Sequence, residues 1–178
     1  MTSSAYNFRR IMLGHDGSSA AEQALHDSMA LAERFAAELV LARVERANED
    51  LPGPELERQI RDAHSVLQLI SSRLTNQNLK NHVVLRVGLV GDILFRLVDE
   101  ENIDLLMLGA YGQGRLDRLT LGSTAELLLR AIPCPVLAYG PHASSGILDR
   151  MNGTADILLP SVYCGRSRSS PKTSQYQS

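Results

Sequence analysis

The sequence has few of the residues that mark secreted, metal-binding or nucleic-acid-binding proteins. It holds two cysteines and no tryptophan among 178 residues, and neither cysteine has the spacing of a disulfide framework or a zinc site. The net charge is only −2, and the 18 basic residues are scattered, so no basic patch for nucleic acid or anionic lipid is visible. We therefore expect two free thiols, Cys134 and Cys164, and no nucleic-acid partner.

Long apolar runs are also missing. No stretch approaches the roughly 20 apolar residues that span a bilayer, and residues 1–10 hold no run of signal-peptide length. These absences predict a cytoplasmic protein without a membrane partner. Hydrophobic residues make up 44% and charged residues 21% of the sequence, close to the average of globular proteins, so most of the chain should fold. The length suits one domain with a full core.

Short apolar runs alternate with helical patterns between residues 9 and 139. The predicted strands are 9–13, 38–44, 82–87, 104–108 and 136–139, and the predicted helices lie near 20–35, 56–74, 93–98 and 123–130. Strict alternation with nearly continuous apolar strands predicts a doubly wound α/β domain, in which a parallel sheet carries helices on both faces. Ligands of such sheets bind beyond the carboxyl ends of the strands, where the strand order reverses.

The composition changes after residue 139 to glycine, proline, serine and asparagine, and the sequence ends in a segment rich in Ser, Arg, Lys and Gln. We predict one domain at residues 1–142 and a C-terminal extension at 143–178 that is partly disordered, above all at 165–178. A brief apolar run at 156–160 weakly resembles residues 10–14. The extension could therefore hold the stub of a second copy of the first strand.

A glycine-rich polar stretch at 109–124 lies between a predicted strand and a predicted helix. Glycines let a ligand approach the backbone closely, and the free amides at a helix N-terminus favour an anion. Gly122, Ser123 and Thr124 would supply such amides together with two hydroxyl groups. The stretch therefore favours phosphate binding.

Other features of the sequence bear on this stretch. Arg115 and Arg118 lie between its glycines and either add positive charge or are simply solvated. The stretch could also be an ordinary connection with a serine N-cap. A second polar turn, Asp16-Gly17-Ser18, follows the first predicted strand, although this tripeptide is also a good turn and helix cap. Two polar turns at strand carboxyl ends together favour a nucleotide cleft.

The glycine spacing is Gly, two residues, Gly, nine residues, then Gly-Ser, and it is met by Gly109, Gly112, Gly122 and Ser123. This spacing resembles the universal stress protein family. Stretches 13–18 and 133–137 are also similar to ones typical of that family, so the resemblance covers about residues 8–140. It implies a five-stranded sheet of order 3-2-1-4-5 with an adenine nucleotide alpha hydrolase-like fold. The strand order would then reverse between the first and fourth strands.

The resemblance also implies a ligand and the residues that contact it. In ATP-binding members, the aspartate after the first strand and a residue ending the second strand contact adenosine, while the glycine loop holds the ribose and phosphates. The implied ligand is ATP, with or without Mg²⁺. The implied contacts are Asp16, Val44, Gly109, Gly112, Gly122, Ser123 and Thr124.

Several patterns depart from nucleotide-binding motifs. Ala125 stands where some ATP-binding members have a hydroxyl and Gly14 where some have proline, although Thr124 can compensate. A P-loop has a lysine directly after its last glycine, but here Gly122 is followed by Ser123. A dinucleotide fingerprint has a third glycine at the position that Asp117 occupies here. No histidine pair has metal-ligand spacing.

The leading interpretation is a stress-response module in which bound ATP stabilises one conformation and so changes dimerisation or partner binding. We expect slow hydrolysis at most, because nothing nominates a general base. The rival interpretation is an interaction protein of the same fold that binds no nucleotide. The resemblance also implies a homodimer through the open edge of the last strand, 136–139, unless the C-terminal extension covers that edge.

Overall fold

The computed structural model describes residues 7–46, 53–109, 123–139 and 162–163. Strands and helices alternate through most of this part of the chain, as the periodicity predicts. The elements are β1 (Arg10–Gly14), α1 (Ser19–Phe35), β2 (Glu38–Glu45), α2 (Gly53–Asn76), β3 (Asn81–Val87), α3 (Val90–Glu100), β4 (Leu105–Gly109), α4 (Ser123–Ala131), β5 (Val136–Tyr139) and β6 (Val162–Tyr163).

The strands form one sheet of order β3-β2-β1-β4-β5-β6. Strands β1 to β5 pair in parallel, which confirms the predicted order 3-2-1-4-5. Strand β6 adds an antiparallel pair at the outer edge of β5. The prediction of five strands omitted β6, because two residues of a short apolar run carry too little periodicity to identify a strand.

Alternate residues of each central strand face two separate layers of the core. Ile11 and Leu13 of β1 pack with residues of α1 and α2, whereas Met12 packs on the opposite face with residues of α3 and α4. All three side chains are fully buried. Because helices cover both faces, a strand can be apolar at every position, which explains the continuous apolar runs in the sequence.

Helix α1 has a defined cap at each end. Ser18 caps the first turn by accepting a hydrogen bond from the Ala21 N–H at 3.2 Å. At the other end, Ala36 takes the left-handed conformation with φ 50°, and the Ala37 N–H donates to the Ala32 carbonyl at 2.9 Å. The Phe35 ring meets Phe8 edge to face, with ring centroids 5.2 Å apart.

The start of α2 corrects one prediction. The sequence predicts this helix near 56–74, because the prolines and glycine at 52–54 usually interrupt helices. The helix nevertheless begins at Gly53 and includes Pro54 in its first turn. Proline is tolerated there because the N–H groups of the first helical turn have no partner inside the helix.

Candidate functional site

The strand order reverses at β1, which pairs with β2 on one side and with β4 on the other. The chain passes from β1 to β2 and β3 in one direction, then returns past β1 to β4 and β5. The helices that follow neighbouring strands therefore diverge to opposite faces and leave a crevice beyond the carboxyl ends of β1 and β4. The predicted switch point between the first and fourth strands is thus confirmed.

The register of the parallel strands places three of the candidate residues at this edge. Gly14, the last residue of β1, pairs with Ala42 of β2 and with Leu108 of β4. Asp16 follows β1 by two residues, and Gly109 ends β4 one residue after Leu108. Val44 lies two residues beyond Ala42 and is the penultimate residue of β2 rather than its end. Its partly buried side chain packs on the α3 and α4 face.

Asp16 forms the turn that joins β1 to α1. Its Oδ1 accepts a hydrogen bond from the Ser18 N–H at 2.9 Å, and Gly17 has φ 82°, a conformation that favours glycine. The turn and cap role that the Asp-Gly-Ser sequence suggests is therefore present. A carboxylate offers about four acceptor positions, so Asp16 can form this turn and make other contacts as well.

Gly109 lies directly against the start of α1. A Cβ added to this glycine would be 3.2 Å from the Ala20 Cβ, 3.2 Å from the Ser18 Oγ and 3.4 Å from the Ala21 backbone nitrogen. These distances are tighter than ordinary contacts between carbon atoms. The absence of a side chain thus lets the end of β4 approach the first turn of α1, which is a packing reason for glycine that the sequence analysis did not foresee.

His15 lies between β1 and Asp16 and is almost completely buried, with 2% of its surface exposed. Its backbone N–H donates to the Ala42 carbonyl at 2.8 Å, and its Nε2 lies 3.0 Å from Oε1 of Glu22 in the first turn of α1. Its Nδ1 is buried and has no hydrogen-bond partner among the described residues. Sequence analysis missed His15, although a polar residue closing an apolar strand was a usable signal.

The start of α3 lies at the same edge as the candidate residues. Gly88 has φ 152°, and its N–H donates to the Glu45 carbonyl at 2.9 Å. The residue before α3, Leu89, makes no side-chain capping bond to the first turn. The helix amides at this end are thus left without a side-chain cap.

The glycine loop is only partly within the described residues. Gly112 and Gly122 lie outside them, as do Arg115 and Arg118, so their predicted part in the site stays a prediction. The backbone of Ser123 and Thr124 forms the start of α4, as predicted.

Helix α4 packs closely on α3 at Gly91. A Cβ added to this glycine would be only 2.6 Å from the Leu127 Cδ2, so the absence of a side chain allows the two helices to approach.

No group of three or more His, Cys, Asp or Glu side chains within the described ranges could hold a metal ion. No helix in the described part of the chain has the length and apolar character needed to cross a membrane.

Comparison with known proteins identifies the family. The profile of the universal stress protein family matches residues 7–140, which is most of the chain. The chain therefore belongs to the universal stress protein family, as the glycine spacing predicts. Membership supports a role in the response to stress.

One relative is a universal stress protein of Synechocystis, which is 29% identical over 133 residues. The match covers 73% of this chain but only 42% of that protein, so the chain spans less than half of the relative's length. A putative universal stress protein of Staphylococcus aureus is 28% identical over 137 residues, covering 73% of this chain and 82% of the relative.

Solved structures confirm the fold. UspA from Lactobacillus plantarum is 20% identical and superimposes with a TM-score of 0.69, covering 75% of this chain and 99% of its own. A universal stress protein in complex with cAMP is 23% identical, with a TM-score of 0.59 and coverages of 76% and 98%. An Archaeoglobus fulgidus universal stress protein in complex with dAMP is 16% identical, with a TM-score of 0.56 and coverages of 74% and 96%.

Proposed function

We propose that this chain is a stress-response module that binds ATP at the carboxyl edge of its sheet. The observation that carries the proposal is the common position of Asp16, Val44 and Gly109 at the carboxyl ends of the three neighbouring strands β1, β2 and β4. Asp16 and Val44 would contact adenosine. Gly109, Gly112, Gly122, Ser123 and Thr124 would hold the ribose and phosphates through close backbone approach, free amides and hydroxyls.

The nucleotide complexes of two family members support this assignment, since cAMP and dAMP are both adenine nucleotides. We extend the proposal to ATP because α4 begins after the glycine loop. The first amides of a helix have no partner within the helix, and together with the positive end of the helix dipole they favour further phosphates. Mg²⁺ would arrive with the triphosphate. Its ligands would be phosphate oxygens and water, because Mg²⁺ keeps much of its hydration.

Bound nucleotide would act by stabilising one conformation of the module. A ligand shifts a conformational equilibrium only as far as its affinities for the two states differ. Gly109, where the glycine loop begins, lies against the first turn of α1, so a nucleotide held by the loop would also bias the position of that turn. We propose that this bias changes assembly or partner binding in the cytoplasm, with slow hydrolysis at most. The assembly we propose is a homodimer through the β5 edge.

Calorimetric titration with ATP tests the site. Gly122→Val should weaken ATP binding by about a hundredfold, because a branched side chain blocks approach of a phosphate to the helix amides and costs roughly 3 kcal/mol of binding. Gly53→Val is the matched control, since nothing lies within 4 Å of a Cβ added there. Equal affinities in the three proteins would contradict the proposed phosphate site.

A second pair of variants separates the two roles of Asp16. Asp16→Asn keeps an oxygen that can accept the Ser18 N–H, whereas Asp16→Ala removes it. If the carboxylate contacts the nucleotide, both variants should lose ATP affinity while only Asp16→Ala loses stability. Loss of stability without loss of affinity would reduce Asp16 to a turn residue.

The rival is an interaction protein of the same fold that binds no nucleotide. Nucleotide released when the purified protein is denatured would support the ATP proposal. An empty supernatant, together with no heat on addition of ATP, ADP or AMP, would support the rival.

A further inference from the structure

The outer edge of β5 is occupied by the chain itself. Val136 pairs with Tyr163 and Leu137 pairs with Val162, and this pair of strands is the antiparallel one among the described residues. On its other edge, β5 pairs in parallel with β4. All four β5 side chains are buried, from 1% exposed for Val136 to 8% for Leu137. The edge therefore has a resident strand, β6, that comes from the C-terminal extension.

The hydrogen bonds of β5 show which backbone groups face this edge. The Leu106 N–H donates to the Pro135 carbonyl at 3.0 Å, so the carbonyl of residue 135 points toward β4. Backbone groups of successive strand residues point to opposite edges, so the N–H and C=O of Val136 point outward, toward Tyr163. The backbone groups of Val162, one residue away in β6, point away from β5.

A second copy of the chain would need the same groups. A twofold dimer through β5 pairs two identical edges, whose outward backbone groups are those of Val136 and, by the same alternation, Ala138. A dimer that pairs along the whole edge therefore needs the N–H and C=O of Val136. One set of backbone groups cannot pair with both partners. A tethered strand acts at an effective concentration on the order of 1 mM, about a thousandfold above that of a second copy at micromolar concentration.

We propose that β6 is an autoinhibitory strand that competes with a second copy of this chain for the β5 edge. The intact chain does not pair through β5 until β6 is displaced. Strand β6 has two residues and β5 has four, so β6 covers only part of the edge and is short enough to be displaced. This proposal rests on the homodimer part of the proposed function and is independent of nucleotide binding.

Three variants of the full-length chain test the competition. Tyr163→Pro removes the N–H that faces Val136 and should release the strand. Val162→Pro is the matched control, because it imposes the same restriction on the backbone but removes an N–H that points away from β5. Tyr163→Ala keeps the N–H and removes only the aromatic side chain, so it reports whether that side chain contributes to holding β6 on the β5 edge.

Sedimentation equilibrium would measure assembly, and hydrogen exchange of the Val136 amide would report on the edge. We expect the wild type and Val162→Pro to be monomeric at micromolar concentration, with the amide protected. Tyr163→Pro should dimerise at least about tenfold more tightly than the wild type, a change of about 1.4 kcal/mol. A wild type that dimerises through β5 as tightly as Tyr163→Pro would overturn the proposal.

Hydrogen exchange distinguishes failure of the strand from failure of the dimer. Unchanged protection of the Val136 amide in a monomeric Tyr163→Pro chain would show that β6 does not cover the edge, which overturns the proposal. Loss of protection without dimerisation at any concentration would instead overturn the homodimer through β5, and with it the competition. Neither outcome would alter the ATP titration.

Discussion

The two ends of the same sheet are finished differently. At the amino ends of the strands, four ionisable side chains close a ring: Arg10 pairs with Glu38 and Glu101, and His82 pairs with the same two carboxylates. At the carboxyl ends, glycines, turns and helix starts lie beside local side-chain pairs, such as Arg43 with Glu45 on β2. Side chains thus link several strands at the amino end, whereas the carboxyl end combines local pairs with main-chain turns.

The four side chains of the ring at the amino end serve as partners for one another. Arg10 Nε lies 3.1 Å from Glu38 Oε2, and its Nη1 lies 3.3 Å from Glu101 Oε2. His82 Nδ1 lies 2.9 Å from Glu38 Oε1, and its Nε2 lies 3.3 Å from Glu101 Oε2. Asp104 adds to this end of the sheet by accepting the Arg10 N–H at 2.9 Å. These contacts join β1, β2 and β3 to the end of α3.

The carboxyl end leaves polar groups available. Gly17 and Gly88 have positive φ angles, and Gly109 closely approaches α1. The buried Nδ1 of His15 has no partner among the described residues. Polar groups without protein partners lower stability but are what a ligand can pair with. The difference teaches that side-chain contacts between strands stabilise the amino end, whereas the carboxyl end retains a polar group and a close main-chain approach that a ligand can use.

Among these predictions, we expect the largest loss of stability from a substitution at Gly109, at the carboxyl end of the sheet. Gly109→Val should lower the free energy of unfolding by about 2 kcal/mol, because its side chain would press on Ser18 and Ala20. Urea denaturation measures the change. Gly53→Ala is the control, with an expected change within about 0.5 kcal/mol, because a Cβ there meets nothing within 4 Å. Equal changes in the free energy of unfolding for the two variants would show that the residues around Gly109 accommodate a side chain without loss of stability.

The amino end should respond to acid through Glu38. Burial alone would raise the pKa of this carboxyl, but the hydrogen bond from His82 and the charge of Arg10 outweigh burial and lower the pKa. A lowered pKa in the folded chain means that the carboxylate adds stability above its ordinary pKa, and that this stability is lost as pH falls through the folded value.

The matching variant is Glu38→Gln, compared with the wild type across acidic pH. At neutral pH it should lower the free energy of unfolding by about 1 kcal/mol or less, because the ring is partly exposed to solvent. The difference between the two proteins should shrink as pH falls below the ordinary pKa of a glutamate, and it should be lost once the pH lies below the lowered folded value, where the carboxyl is protonated in both folded and unfolded chains. Glu57→Gln, in an exposed pair with Arg61 on α2, serves as the control. A difference that grows toward low pH would contradict the assignment.

The last prediction concerns the reactivity of Cys134, which lies just before β5 at the amino end of the sheet. Burial raises the pKa of this thiol to about 11, and the nearby Asp104 and Asp99 charges act in the same direction. Only the thiolate reacts with alkylating reagents, so the folded protein should react at least about tenfold more slowly near pH 8 than the urea-unfolded protein. A Cys164→Ser background leaves one thiol to follow. Equal rates would show that Cys134 is not shielded.

The sequence was informative wherever one apolar run matched one element. Strand β5 has the predicted bounds, and β2 extends only one residue further, to Glu45. Runs of this kind are local, and parallel strands covered on both faces leave little ambiguity in them. The order of the strands came from resemblance to a family, because periodicity alone does not say which strands are neighbours.

The parts that the sequence did not predict depend on residues far apart in the chain. Asp104 bonds the Arg10 N–H across 94 positions, and His82 meets Glu38 across 44. No local pattern reports such pairs. Gly109 was assigned to a ligand from its spacing, and its contact with α1 became evident only from the fold. His15 was missed because its one signal, a polar residue closing an apolar strand, carries little weight without a second histidine or acidic residue at a meaningful spacing.

Helix α1 reaches from one end of the sheet to the other. Its first turn touches Gly109, where the glycine loop begins, and its last residue, Phe35, holds the Phe8 ring. Seventeen residues of α-helix make a rod about 25 Å long. A larger residue at Gly109 would crowd Ser18 and Ala20 in that first turn, so a change at the start of the glycine loop bears directly on the helix that holds Phe8 at its other end.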